Sequence, residues 1–431
     1  MGRPGPTVAV KTLGCRVNQT DSDSILRALV DRGFYPAAQG QPADAVVVNT
    51  CTVTHVADRK SRHAIARGIR DNPDCVVAVT GCYASVDAER LRRSFPRALI
   101  FSPVDQNSLI EEVSRAANAP GIAAPAGDGR RFGERGRIRP MIKAQEGCDH
   151  ICAFCIIPRA RGRSTSRTLR QVIADVVRFA EAGANEVVLT GVSIGSYRCP
   201  ETGLRLADMI ARVASETGVA RLRLSSIEPI EFDDGIFQLL ADGTICPHLH
   251  IPIQSGSDRT LRRMRRKYAI ADYERIVTSA RAANPDVAIA TDVMVGFPGE
   301  SQNDFEASFD FIAAMEFAYL HVFPYSMRPR TVAAHMKQGV RDDEKKARVQ
   351  AMIDLGERQR EDYAQRFVGR SRTVLWESVV DGQGTGVTDN FLKVSGRSKA
   401  TPGSLETVML APGAWGELVA IGPAGQPRLG G

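Results

Sequence analysis

The sequence has no apolar run long enough to cross a bilayer. It shows no apolar leader either: Met1-Gly-Arg-Pro-Gly-Pro runs straight into Val8-Ala-Val. It lacks an even set of cysteines, having nine, so no disulfide framework can use them all. The expectation is a cytoplasmic, reducing location without a membrane partner, where thiols bind metal or stay free. A strong excess of either charge is also missing. Fifty-six basic residues against 49 acidic leave a formal net charge of +7. That permits a phosphate-rich partner without requiring one. What is present is an ordinary globular composition, 43% hydrophobic and 24% charged. At 431 residues the chain has room for two or three domains.

The most specific stretch is Gly147-Cys148-Asp149-His150-Ile151-Cys152-Ala153-Phe154-Cys155. It follows Ile138-Arg-Pro-Met-Ile-Lys-Ala-Gln145, which alternates like a strand, so the cysteines fall in the loop leaving a strand end. Three thiolates in so short a loop converge on one centre. A fourth is missing, and structural zinc wants four ligands, usually as two separate pairs. An iron–sulfur cube can be held by three thiolates, which leaves one iron open.

Residues 1–118 read as an α/β domain. Val8-Ala-Val-Lys-Thr-Leu, Ala45-Val-Val-Val-Asn and Cys75-Val-Val-Ala-Val-Thr are strands separated by helices, the alternation of a parallel sheet. Cys15, Cys51 and Cys82 each follow one of these strands. The carboxyl ends of parallel strands line one edge of a sheet, where ligands collect. The three loops therefore predict a second three-thiolate site. Cys75, at a strand start, and Cys199 and Cys246, with no partner motif, read as structural.

Residues 119–136, rich in Gly, Pro and Ala, read as a linker. Residues 137–368 supply six strand candidates: the one before Cys148, then Glu186-Val-Val-Leu-Thr, Arg221-Leu-Arg-Leu-Ser, Leu249-His-Ile-Pro-Ile, Val287–Val295 and Tyr319-Leu-His-Val-Phe. Six is short of the eight that close a barrel, so the expectation is an open partial (β/α)6 barrel. Polar, Gly-rich turns at its strand ends place Gly191, Ser226, Glu228, Gln254, Ser255, Gly296 and Gly299 around a cofactor pocket, with Phe154 from the cysteine loop.

Two basic runs adjoin this face, Arg159–Arg167 and Arg262–Lys267, where phosphates could dock. A charged helix follows from about residue 342 to 368. Residues 369–431 then alternate like strands and suggest a small antiparallel β-barrel. Six Lys/Arg (Arg370, Arg372, Lys393, Arg397, Lys399, Arg428) against five Asp/Glu give that barrel no marked charge.

With these pieces placed, the chain from about Val8 to Ile421 resembles the methylthiotransferases, a radical S-adenosylmethionine (SAM) family. The stretches LGCRVNQTDSD, NTCTVTHVADRKSRHAI and GCDHICAFCIIPRARGRSTSR are most similar to the subgroup acting on threonylcarbamoyl-adenosine beside the tRNA anticodon. The resemblance implies a [4Fe–4S] cluster on Cys148, Cys152 and Cys155 that chelates SAM. It implies an auxiliary [4Fe–4S] cluster on Cys15, Cys51 and Cys82, and a TRAM-like terminal barrel that binds RNA. No catalytic side chain is implied beyond the cluster ligands. A C–H bond at carbon 2 of an adenine is not acidic, so radical chemistry suits it and a His or Glu base does not. An electron donor and a sulfur source, both of unknown identity, are required, and a monomer is expected. Arg330 stands where the family usually has Gly.

Two readings stay open beside this one. The same chemistry could act on isopentenyl-adenosine in tRNA or on a ribosomal protein aspartate. A zinc-holding RNA-binding protein would explain the number of cysteines but not two separate sets of three. The carboxylate of a threonylcarbamoyl group calls for a cationic partner, for which Arg159, Arg161, Arg163, Arg328 and Arg330 are the candidates.

Overall fold

The computed structural model describes residues 5–38, 40–117, 137–413 and 417–423. The expected linker at 119–136 lies outside the described residues. The chain forms two compact units. One comprises Met1–Phe132 with Glu146–Ser164 and Ser326–Ala334; the other comprises Gly133–Gln145, Thr165–Tyr325 and His335–Gly431.

In the first unit five parallel strands lie in the order Tyr35–Pro36, Thr7–Thr12, Ala45–Thr50, Val76–Gly81, Leu99–Ile100. Strand Ala45–Thr50 is buried throughout, as a central parallel strand must be. Its side chains alternate between two cores. Ala45 and Val47 face Ile25, Leu29, Leu109 and Val113 from helices Arg16–Val30 and Gln106–Ala116. Val46 and Val48 face Ile65 and Leu91 from helices His55–Asp71 and Ala88–Ser94. The sheet is doubly wound. The second strand in sequence lies outside the first and the third lies on the first strand's other side, so the order reverses between Thr7–Thr12 and Ala45–Thr50. In open α/β sheets that reversal is where a crevice forms at the carboxyl ends.

The second unit contains all six expected strands. Met141–Glu146, Glu186–Gly191 and Arg221–Leu224 form one parallel ladder, and His248–His250, Ala288–Val295 and Tyr319–Pro324 another. Two hydrogen bonds carry the sheet across the junction: Cys246 N–H donates to the Leu222 carbonyl (2.8 Å) and Ile227 N–H to the His250 carbonyl (3.0 Å). Helix Leu169–Glu181 shows why the outer layer forms. Thr168 and Gln171 cap its start reciprocally, and Leu169, Val172, Val176 and Phe179 make its buried stripe. Among the described residues no helix is long and apolar enough to cross a membrane.

The terminal barrel closes through Ser371–Val380, Gln383–Thr388, Lys393–Arg397, Leu405–Pro412 and Leu418–Pro423. Its pairings are antiparallel except that of Lys393–Arg397 with Leu418–Pro423, which is parallel and completes the closure. The barrel shares a core with what precedes it: Tyr363, Phe367, Ala288 and Ala318 pack with Val374 and Trp376. Arg223 ties it further, chelating Glu186 (2.6 and 3.0 Å) and donating to the carbonyls of Thr388 (3.2 Å) and Asp389 (2.9 Å).

Candidate iron–sulfur and cofactor site

Cys15 is the exposed N-cap of helix Arg16–Val30, Cys51 is buried directly after strand Ala45–Thr50, and Cys82 is the buried first residue of helix Cys82–Val86. Cys15 and Cys51 thus flank the reversal point of the sheet. Their loops touch. Gly14 has φ +98°, and a Cβ there would stand 2.9 Å from the Cys51 sulfur. Asn18 fastens the two, its amide donating to the carbonyls of Leu13 (2.7 Å) and Thr50 (3.0 Å). Ser61 holds both the N–H and the carbonyl of Cys51 (3.1 and 2.9 Å).

The second cysteine loop packs in the same unit. Gly147, φ +71°, lies so close to the Gly162–Arg163 backbone that a Cβ would meet the Arg163 carbonyl oxygen at 2.0 Å. Cys148 N–H donates to the Gly162 carbonyl (3.1 Å) and Cys155 N–H to the Cys152 carbonyl (3.1 Å). Cys148, Cys152, Cys155 and Phe154 are half-buried. The loop continues a strand of the second sheet, yet it folds against the N-terminal residues because of Arg161. That side chain is 1% exposed and pairs with Asp21 (2.9 Å) and Glu146 (2.7 Å). It also reaches the Asn18 amide oxygen, and its Nε donates to the Cys82 sulfur at 3.3 Å.

Cys15, Cys51 and Cys82 are close neighbours at the strand ends, three soft sulfur donors of the kind an iron–sulfur centre takes. Burial pushes the Cys51 thiol up, and Cys15 adds to the shift. Burial likewise pushes Cys82 up to about 11, with Cys15 and Cys51 adding to it against the pull of Arg161.

Two of the five arginines read as anion partners are already engaged. Arg161 is in the buried network just described. Arg328, 4% exposed, bonds Asp58 (2.8 Å), the Thr52 carbonyl (2.8 Å) and His55 Nδ1 (2.8 Å). Sequence reasoning missed both because Asp21 and Asp58, which they pair with, lie far away along the chain. Arg159, Arg163 and Arg330 are exposed. Arg163 pairs with Asp149 (3.3 Å), and Arg330 donates to the Val86 carbonyl (2.8 Å). Arg330 has φ +68°, a left-handed backbone that suits the Gly usual at that position. In the second basic run Arg266 is turned inward to Glu228 and Arg263 to the Pro298 carbonyl, while Arg262, Arg265 and Lys267 are exposed.

Apart from Phe154, the residues expected to line a pocket lie in the second unit. Gly191, Ser226, Glu228 and Gln254 sit at the carboxyl ends of strands or just beyond them. A Cβ at Gly191 would meet Gln145 Oε1 at 2.9 Å, and that oxygen accepts from Ser193 N–H (2.8 Å). Gln145, 1% exposed, is a member of this face that the sequence reading did not single out. Gln254, φ +68° and 8% exposed, has a side-chain oxygen with no hydrogen-bond partner among the described residues. Ser255, Gly296 and Gly299 have close neighbours within the protein. Ser255 Oγ accepts from Ser257 N–H (3.2 Å); the two glycines, both at positive φ, lie against Lys345 and Arg263. Ser226 Oγ lies 2.7 Å from His250 Nδ1. Burial pushes the neighbouring Asp292 carboxyl up, but His250 and His321 outweigh it and hold it well below the usual carboxylate range.

Residues 7–102 match the model of the uncharacterized protein family UPF0004, and residues 142–312 match that of the radical SAM superfamily. The chain is 35% identical over 411 residues to the threonylcarbamoyladenosine tRNA methylthiotransferase MtaB of Bacillus subtilis, covering 90% of each. It is 33% identical to the protein of that name from Aquifex aeolicus, covering 94% of this chain and 100% of the relative. It is 36% identical to a tRNA-2-methylthio-N(6)-dimethylallyladenosine synthase of Anaeromyxobacter sp., over 77% of this chain and 73% of the relative. Among solved structures, the radical SAM methyltransferase TsrM from Kitasatospora setae superposes with a TM-score of 0.57 at 17% identity, covering 76% of each chain.

Proposed function

Because the chain belongs to the radical-SAM methylthiotransferase family, we propose that it places a methylthio group on carbon 2 of N6-threonylcarbamoyl-adenosine beside the anticodon of tRNA. The observation that carries this reading is the extent of the similarity. It spans 90% or more of the Bacillus and Aquifex relatives named for that reaction, against 73% of the dimethylallyladenosine synthase. The family implies SAM and a [4Fe–4S] cluster. We assign the SAM-chelating cluster to Cys148, Cys152 and Cys155 and a second cluster to Cys15, Cys51 and Cys82. Bound there, these groups supply one-electron chemistry that opens a C–H bond no side chain could ionise.

The chain's own residues position and shield. Arg161 holds the first cysteine set against the second loop and donates to the Cys82 sulfur, and a hydrogen bond to sulfur tunes a cluster's potential. Gly147 lets the SAM-chelating loop fold back on Gly162 and Arg163. Gly191, Ser226, Glu228 and Gln254 line the SAM side. Arg159, Arg163 and Arg330 meet RNA phosphates, and one of them pairs the threonylcarbamoyl carboxylate. Residues 1–118, 137–368 and 369–431 then serve as auxiliary-cluster, radical-SAM and RNA-binding segments. The protein acts as a cytoplasmic monomer supplied with electrons and sulfur by other components.

Mass spectrometry of tRNA nucleosides from cells with and without this protein tests the reading. The methylthiolated threonylcarbamoyl nucleoside should disappear while its unthiolated precursor accumulates. An unchanged nucleoside profile overturns it.

A further inference from the structure

Three side chains that none of this chemistry uses converge on neighbouring strands of the second unit. His250 ends strand His248–His250, Asp292 lies within Ala288–Val295, and His321 stands opposite Asp292 in the parallel register of Tyr319–Pro324. Their donor atoms all lie within 4.8 Å of one another. His250 Nε2 is 3.2 Å, and His321 Nδ1 3.3 Å, from the same carboxylate oxygen, Asp292 Oδ1.

We propose that His250, Asp292 and His321 form a divalent metal site, of the zinc class, with open coordination positions on the His321 side. Spacing is the first argument. Ligands of a tetrahedral zinc at about 2.0–2.2 Å stand roughly 3.3–3.5 Å apart. Burial is the second: His250, 7% exposed, presents its Nε2 to Asp292 Oδ1 from the protein side. The third is support from behind. Ser226 Oγ sits 2.7 Å from His250 Nδ1. With Nδ1–H donating to that hydroxyl, the tautomer is fixed and Nε2 is left as the ligand, the arrangement usual behind metal-bound histidines. Two histidines and one carboxylate with room for further ligands match a site that holds water or an oxygen anion, not a closed structural one. His321, its side chain 57% exposed, opens the site to solvent.

The test uses full-length protein with its clusters loaded, so that thiols do not compete. It is freed of loosely bound metal, equilibrated with micromolar zinc chloride and passed through gel filtration. Zinc, iron and sulfide are then counted. The parent and a His63→Ala control should retain one zinc per chain beyond the clusters. His321→Ala and Asp292→Ala should bind it at least tenfold more weakly, and Ser226→Ala about 10–100-fold more weakly, as for loss of an outer-shell partner. His321→Ala is decisive because so exposed a side chain can be removed without unfolding, which an unchanged melting temperature verifies. Equal zinc in the parent, His321→Ala and Asp292→Ala, or no zinc retained by the parent, overturns the proposal.

Discussion

Replacing Arg161 by Ala would remove the buried cation that pairs with Asp21 and Glu146 and donates to the Cys82 sulfur. Asp21, with its side chain 2% exposed, would keep the Gln106 amide (3.1 Å) but lose the Arg161 guanidinium. Breaking a buried ion pair from one side costs about 3–5 kcal/mol. At roughly 2–4 °C per kcal/mol for a unit of this size, the melting temperature should fall by roughly 6–20 °C. Arg161→Ala with Asp21→Asn removes both charges and should recover roughly 1–3 kcal/mol, the range expected for directly coupled partners. Arg161→Lys keeps the charge but not the planar fork that reaches three acceptors and a sulfur, and should fall between. The assay is calorimetric melting of the four proteins, with iron counted in each. A single variant that melts within about 2 °C of the parent would refute the view that Arg161 is a structural tie.

Other expectations follow from the same reasoning. Burial alone would raise the Glu186 carboxyl, but Arg223, Arg139 and Arg221 hold it below its ordinary value. Its contribution to stability is therefore fully present above the ordinary carboxylate range and lost as pH falls through the lower folded value. Glu186→Gln should be less stable at neutral pH, and the gap should close on acidification; a gap that widens in acid contradicts this. Arg330→Gly should leave melting within a few degrees, since the residue is exposed and its backbone suits Gly, yet lower the salt slope of tRNA binding by about 1 if it meets a phosphate. An unchanged slope removes Arg330 from the RNA contacts. Changing Cys15, Cys51 and Cys82 to Ala together should halve the iron and spare reductive SAM cleavage, whereas changing Cys148, Cys152 and Cys155 should abolish that cleavage. Normal methylthio transfer by the first triple variant sinks the auxiliary-cluster assignment.

Much of the fold was legible because its strands are short apolar runs bounded by turns. All six strands of the second unit stand where the pattern puts them, and Cys15, Cys51 and Cys82 neighbour one another because three parallel strands end at one edge. The parallel closure of the terminal barrel was not legible, since closure depends on register that alternation does not encode. The engaged arginines were illegible for another reason. Arg161 reaches Asp21 across 140 positions and Arg328 reaches Asp58 across 270, so nothing local separates either from an exposed phosphate ligand. The His250–Asp292–His321 cluster was hidden likewise, because parallel neighbours lie one helix apart in sequence. Tyr363 and Phe367 share a core with Trp376 of the barrel. Truncation after Gly369 would uncover aromatic surface worth roughly 1.5–3 kcal/mol per side chain, so RNA capture by the barrel is better probed with substitutions at exposed Lys393, Arg397 and Lys399.

The substrate assignment is tested most directly with purified, cluster-loaded protein, SAM and a reductant, given anticodon stem-loops whose adenosine carries either a threonylcarbamoyl or an isopentenyl group. Mass spectrometry of the digested RNA reads the added methylthio group. The account predicts methylthiolation of the threonylcarbamoyl stem-loop in clear preference. Preference for the isopentenyl stem-loop, or modification of neither by protein that still cleaves SAM, contradicts it.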